Sequence, residues 1–82
     1  MLTADHDLKT AFGRAVRNRR LAAGISQEKL AELAGVHRTY MGDVERGLRN
    51  VALVNMVSIA SAFQIPLSVL LLEMEELGRH SA

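Results

Sequence analysis

Arginine and lysine side chains, which can bind phosphates or the edges of nucleotide bases, are concentrated in the middle of this sequence of 82 residues. Residues 9–49 include nine basic and four acidic side chains and carry a formal charge of +5, whereas the whole chain carries only +1. The nine are Lys9, Arg14, Arg17, Arg19, Arg20, Lys29, Arg38, Arg46 and Arg49. This asymmetry indicates a basic face for phosphates, although charge alone is equally compatible with an ordinary solvated helix.

Residues that could support catalysis or metal binding are few. The three histidines, His6, His37 and His80, lie far apart without the spacing of a ligand set, and no cysteine accompanies them. The sequence has no recognisable nucleophile with a base, no glycine-rich phosphate loop and no pair of catalytic carboxylates. We therefore expect no enzyme activity, no cofactor and no metal.

The composition is that of one small domain covering residues 1–82. Only Phe12, Tyr40 and Phe63 are aromatic, so the core must be built mainly from aliphatic side chains and methionine. The absence of cysteine is compatible with a reducing compartment, and no apolar run approaches the roughly 18 residues of a membrane span. We expect a cytoplasmic protein that has no membrane partner.

The spacing of apolar residues predicts an all-α fold with five short helices. Helix one is expected over residues 7–23 and is ended by Gly24, and helix two runs over residues 27–34 with Ser26 as its N-cap. Helices three, four and five are expected at about residues 38–45, 52–63 and 66–77, with Asn50 as a possible cap for helix four and Gly78 as the end of helix five. The side chains predicted to face inward are Leu8, Phe12, Ala15, Val16, Leu30, Leu33, Ala34, Met41, Val44, Leu53, Met56, Ile59, Ala60 and Phe63.

Helices two and three are joined by a very short turn that contains Gly35, which makes residues 26–45 a candidate helix-turn-helix. Two short helices with a glycine in the turn are common in all-α proteins. The pattern by itself is therefore weak support for DNA binding.

A family resemblance strengthens that interpretation. Residues 20–50, RLAAGISQEKLAELAGVHRTYMGDVERGLRN, resemble the helix-turn-helix of the lambda-repressor-like, or Cro-type, regulators. Residues 59–71, IASAFQIPLSVLL, are similar to the fourth and fifth helices of that family, so the resemblance covers nearly the whole chain. The segment HRTYMGDVERGLRN most resembles the controller proteins of restriction–modification systems. The resemblance implies a compact five-helix DNA-binding domain.

The resemblance also implies that helix three lies in the major groove of DNA, with its first two turns against the bases. The candidates for reading bases are His37, Arg38, Thr39, Tyr40 and Asp43. Arg38 can donate two hydrogen bonds to guanine O6 and N7, and Thr39 can bond a base edge or contact a thymine methyl group. Packing in the core is the alternative for Tyr40. Asp43 either accepts from cytosine N4 or orients Arg38.

Residues on both sides of helix three are candidates for holding the DNA backbone. These candidates are Gln27, Arg46, Arg49 and Asn50. The resemblance implies that Gln27 holds a phosphate and braces the recognition helix, and the N-terminus of helix two independently favours a phosphate. It also implies a partly buried structural ion pair between Arg20 and Glu45.

Helices four and five carry more apolar side chains than one small core needs, which predicts a subunit interface within residues 52–77. The candidate interface residues are Val54, Val57, Leu67, Val69, Leu70 and Leu72. A two-fold dimer would present its recognition helices to half-sites about 34 Å apart on a pseudo-palindrome. The alternative is that the C-terminal helix is fully buried in the monomer.

These observations predict a homodimeric transcriptional regulator that binds double-stranded DNA, in particular a restriction–modification controller, with RNA polymerase as a further candidate partner. An antitoxin or a phage or plasmid repressor of the same fold is one alternative. The other is a protein-interaction module whose DNA-binding face is no longer used.

Overall fold

The structure, a computed structural model, describes residues 4–80 as five α-helices without any strand. In chain order the helices are α1 (Asp5–Ala23), α2 (Gln27–Ala34), α3 (Arg38–Glu45), α4 (Leu53–Ala62) and α5 (Leu67–His80). The predicted all-α class is therefore confirmed. None of these helices alone has the length and apolarity of a membrane span; only α4 and α5 together do, and they meet at an angle of 99°.

The end of α1 and the start of α2 follow the predicted capping pattern, and Gly35, predicted to lie in the turn, also caps the end of α2. Gly24 and Gly35 take left-handed conformations, with φ of 69° and 70°, and their backbone N–H groups close the last turns of the two helices. The Ser26 side chain accepts a hydrogen bond of 3.0 Å from the backbone N–H of Lys29. Glycine tolerates the left-handed region because it has no Cβ, and serine satisfies an amide that has no partner within the helix.

Two predicted signals at the later helices are wrong. Asn50 does not cap α4, whose N-cap is Ala52 without any side-chain hydrogen bond. Gly78 does not end α5, which continues to His80. Glycine lowers helix propensity by only about 1 kcal/mol, so the packing of α5 on α1 can carry the helix through it.

The end of α4 carries an unusual residue in a common turn. The N–H of Ile65 donates to the carbonyl of Ala60 at 3.1 Å, and the N–H of Gln64 donates to that of Ser61 at 2.9 Å. These two bonds form a Schellman motif, in which the left-handed position usually holds glycine. Here Gln64 occupies that position with φ of 59°.

The core is mainly aliphatic, with Phe12 and Met41 among its members, and receives side chains from all five helices. Its largest fully buried members are Val16, Leu30, Met41, Val44, Ile59 and Leu70. Three residues predicted to face inward are instead exposed: Leu8, Leu33 and Leu53. Leu8 and Leu53 lie in the first turns of their helices, and Leu33 borders a groove between α1 and α5.

Gly13 brings α1 into direct backbone contact with α3. A Cβ atom at this position would lie 2.3 Å from the carbonyl oxygen of Val44 and 2.8 Å from that of Glu45. Only a residue without a side chain allows such an approach. The position of α3 is therefore fixed by the backbone of α1 as well as by side-chain packing.

Candidate nucleic-acid interface

A buried ion pair secures the C-terminal end of α3. Arg20 donates from Nε to Glu45 Oε2 at 2.7 Å and from Nη2 to Oε1 at 3.1 Å, and the two side chains are 11% and 1% exposed. Arg20 also donates from Nη1 to the carbonyl of Ile25 at 3.0 Å. The pair suggested by the family resemblance is thus present, and it joins α3 to α1 and to the turn before α2.

Gln27 connects the same carboxylate to the first turn of α2. Its Nε2 donates to Glu45 Oε1 at 3.0 Å, so Glu45 receives hydrogen bonds from two other parts of the chain. This contact is the brace between α2 and α3 that the resemblance implied. We call the three side chains Arg20, Gln27 and Glu45 the brace.

The N-terminal end of α3 is exposed. His37 is its N-cap, and its Nδ1 accepts a hydrogen bond of 3.3 Å from the backbone N–H of Thr39. The His37 ring therefore has only Nε2 left for another partner. The Arg38 and Thr39 side chains project from the first turn into solvent.

A polar groove of about 450 Å³ separates the first turns of α2 and α3. Its lining residues are Ser26, Gln27, Glu28, Arg38, Thr39, Gly42 and Arg46. Across this groove Arg38 Nη1 donates to Glu28 Oε2 at 2.8 Å, and both side chains are 69% exposed. Sequence reasoning missed Glu28, for which the only signal was a carboxylate in the first turn of α2.

One of the two roles predicted for Asp43 was to orient Arg38, and the structure shows no such contact. Its Oδ1 accepts from Arg46 Nη2 at 2.5 Å, and its Oδ2 accepts from Arg49 Nε at 3.2 Å. The reason is geometric, because residues three apart on a helix share a face whereas residues five apart do not. Asp43 therefore joins two arginines that follow the last residue of α3, Arg46 and Arg49.

Tyr40 is half-buried and packs against the core, which was the alternative considered from the sequence. Its hydroxyl oxygen accepts from Asn55 Nδ2 at 3.1 Å, and the guanidinium carbon of Arg49 lies 5.3 Å from its ring centroid. The Asn55 contact crosses from α3 to α4, and nothing in the local sequence indicates it. Asn50 lies exposed in the loop after Arg49.

The predicted interface residues differ in exposure. Val54, Val57 and Leu72 are exposed, Leu67 and Val69 are half-buried, and Leu70 is fully buried. The assignment of Leu70 to a subunit interface is therefore wrong, because this side chain is part of the monomer core. Leu72 and the unexpectedly exposed Leu33 both border an apolar groove of about 870 Å³ between α1 and α5, which Phe63 also lines.

An ion pair at the edge of this groove joins α1 to α5. Arg19 donates to both carboxylate oxygens of Glu73, with a shortest distance of 2.7 Å, and these hydrogen bonds raise the pKa of Arg19 above its ordinary value. Among the side chains that the structure describes, in residues 4–79, no three histidine, aspartate or glutamate groups lie closely enough together to hold a metal ion.

A short helix whose N-terminal side chains are exposed, and which is crossed behind by a second helix, is the arrangement with which helix-turn-helix proteins enter the major groove. The family model described as helix-turn-helix matches residues 16–70. The chain belongs to this helix-turn-helix family.

Within this family, the chain is similar to control proteins and to a controller protein of known structure. The chain is 43% identical over 65 residues to control protein C.SmaI of Serratia marcescens. This match covers 79% of this chain and 77% of that protein. It is 44% identical over 61 residues to control protein C.BamHI of Bacillus amyloliquefaciens, and this match covers 73% of this chain and 75% of that protein. The crystal structure of the restriction–modification controller protein C.AhdI from Aeromonas hydrophila has a TM-score of 0.74 and 50% identity, covering 78% of this chain and 96% of that one. The predicted similarity to controller proteins is confirmed.

Proposed function

We propose that this chain is a sequence-specific DNA-binding transcriptional regulator that acts as a homodimer on a pseudo-palindromic operator, and that it is a restriction–modification controller. The observation that carries the proposal is the contrast between the two ends of α3. Its C-terminal end is fixed by the buried brace, while Arg38 and Thr39 at its N-terminal end are exposed. Because the backbone of α3 is already fixed before DNA binds, the helix can present Arg38 and Thr39 to the bases with little further loss of backbone conformational entropy.

In this proposal Arg38 and Thr39 read base edges, and the surrounding groups hold phosphates. Gln27 at the start of α2 offers a helix N-terminus to one phosphate, and Arg46, Arg49 and Asn50 hold the backbone beyond α3. The other three candidates for reading bases instead support α3 and the arginines beside it. His37 caps α3, while Tyr40 and Asp43 hold Arg49 between a ring and a carboxylate.

The test of base reading begins with selection of bound duplexes from a random pool, which returns both half-site sequence and spacing. Arg38→Ala should then weaken binding to the selected duplex by about 5- to 150-fold, with a much smaller effect on random DNA, because one bidentate base contact is worth about 1–3 kcal/mol. Equal losses on both duplexes would contradict a base-reading role.

The phosphate role is tested by salt dependence. Arg49→Ala should weaken specific and random binding alike and reduce the slope of log K against log salt by about one. Arg79→Ala is the matched control, since it removes the same charge near the end of α5, where Arg79 pairs with Glu76. An unchanged slope in Arg49→Ala would exclude the proposed phosphate contact.

The proposal of a dimer is supported by exposed apolar side chains on two adjacent helices. Val54 and Val57 lie one turn apart on α4, and Leu72 lies on α5. Val57→Asp should yield a monomer in sedimentation equilibrium and weaken binding to a two-half-site operator. Leu21→Asp, at an exposed leucine of α1, controls for the change in polarity. A Val57→Asp protein that remains dimeric would show that the interface lies elsewhere.

The regulated gene is inferred from similarity alone. A controller should bind DNA upstream of its own gene in a footprinting assay, and the neighbouring genes separate it from an antitoxin or a phage repressor. We place the protein in the cytoplasm, with its proposed DNA partner, and we propose no catalytic activity because the relatives that it matches are control proteins. Absence of a shift with any duplex at low salt would favour a protein-interaction module instead.

A further inference from the structure

We infer that Glu28 is a specificity-determining residue, which positions the guanidinium group of Arg38 for reading guanine. This inference rests on the proposed base-reading role of Arg38. Glu28 lies in the first turn of α2, whereas Arg38 is the first residue of α3, so their contact spans the turn of the helix-turn-helix. No other carboxylate among residues 4–80 bonds Arg38.

The contact uses only one corner of the guanidinium group. Arg38 Nη1 donates to Glu28 Oε2 at 2.8 Å, while Nε and Nη2 have no hydrogen-bond partner among the residues that the structure describes. Two adjacent donors on one edge are what guanine O6 and N7 accept. A guanidinium group held by Nη1 therefore keeps its Nε–Nη2 edge available for the base, and the same contact restrains its swing towards nearby phosphates.

The charge of Glu28 is better explained by this role than by stability. The first turn of α2 is where the proposal places a phosphate, and a carboxylate repels phosphate at that site. A glutamate there gains from the helix dipole, but Glu28 and Arg38 are largely exposed, so the ion pair itself stabilises the fold little. A restrained Arg38 bonds guanine in preference to a backbone phosphate. The effect of Glu28 should therefore be seen in discrimination between DNA sequences rather than in folding stability.

The test compares Glu28→Gln with Glu32→Gln. Both changes remove one negative charge from α2, and Glu32 is likewise exposed, pairing with Lys29 at 3.7 Å rather than with Arg38. Each variant is titrated against the selected operator, against the operator with its Arg38-contacted guanine replaced, and against random duplex. We expect Glu28→Gln to reduce discrimination at the guanine by about two- to fivefold, the worth of an exposed ion pair. Glu32→Gln should leave that discrimination unchanged.

The double variant Glu28→Gln/Arg38→Ala distinguishes positioning from a general charge effect. If Glu28 acts through Arg38, adding Glu28→Gln to Arg38→Ala should cause no further loss of base discrimination. Equal discrimination in Glu28→Gln and wild type, or an equal loss with and without Arg38, would overturn the inference. A wild-type protein that selects no sequence from the random pool would instead contradict the proposed function itself.

Discussion

The neighbouring residues Arg19 and Arg20 of α1 each form an ion pair with a glutamate, and the two pairs differ mainly in burial. We expect the more buried pair to contribute more to the free energy of unfolding. Both pairs use two donors of the arginine, and the shortest distance is 2.7 Å in each. The Arg20–Glu45 side chains are 11% and 1% exposed, whereas those of Arg19 and Glu73 are 32% and 38% exposed. Glu45→Gln should therefore destabilise the fold much more than Glu73→Gln.

The expected magnitudes follow from what each substitution leaves behind. Glu45→Gln keeps an acceptor but leaves the Arg20 charge buried without a counter-charge, which costs about 3–5 kcal/mol. A domain of this length has a total stability of only about 4–12 kcal/mol, so the loss is a large share of it. At Glu73 the arginine remains hydrated, and the expected loss is about 0.2–1 kcal/mol.

Urea and thermal unfolding followed by circular dichroism measure both losses. In a domain of this size 1 kcal/mol lowers Tm by about 4–8 °C, so Glu45→Gln should lower it by at least about 12 °C. A double variant, Arg20→Met/Glu45→Leu, should be more stable than Glu45→Gln because it removes both buried charges. Equal losses for Glu45→Gln and Glu73→Gln would refute the reasoning from burial.

Three backbone predictions concern glycine and glutamine positions. Gly13→Ala should reduce the free energy of unfolding by about 1–3 kcal/mol in urea titrations, because its Cβ would clash with the carbonyl of Val44; an unchanged value would mean that α1 can shift. Gly42→Ala should instead raise stability by up to about 1 kcal/mol, since its Cβ has ordinary contacts of 3.4 Å or more and alanine favours a helix. Gln64→Gly should raise Tm by several degrees, because φ of 59° costs glutamine about 1 kcal/mol; a lower Tm would show that the side chain contributes more than the strain.

The helices and their order could be predicted from the sequence because local signals determine them. Gly24, Gly35 and Ser26 act through their own backbone or their immediate neighbours, so the two caps at Gly24 and Ser26 and the turn at Gly35 lie where the sequence predicts them. Burial at helix ends could not be predicted in this way. Periodicity places Leu8 and Leu53 on an inward face, but only the three-dimensional arrangement shows that no neighbouring helix covers that end.

Individual residues of the site could be chosen from the sequence, but their hydrogen-bond partners could not. Arg38 and Asp43 are close in sequence, yet Asp43 bonds Arg46 and Arg49 while Arg38 reaches back ten residues to Glu28. Such choices depend on how two helices are placed across a turn. The brace was accessible only through family resemblance, because 25 residues separate Arg20 from Glu45 and no periodicity connects them.

The separation of the brace from the exposed end of α3 has a consequence for evolution. Substitutions at Arg38 or Thr39 change solvent-exposed groups that contribute little to folding, whereas Arg20 or Glu45 can change alone only at a high cost in stability. Under the proposed base-reading role of these residues, a lineage can therefore acquire a new operator preference through one or two mutations without first accumulating stabilising ones. Duplicated copies of such a domain could diverge in target sequence while sharing one unchanged scaffold.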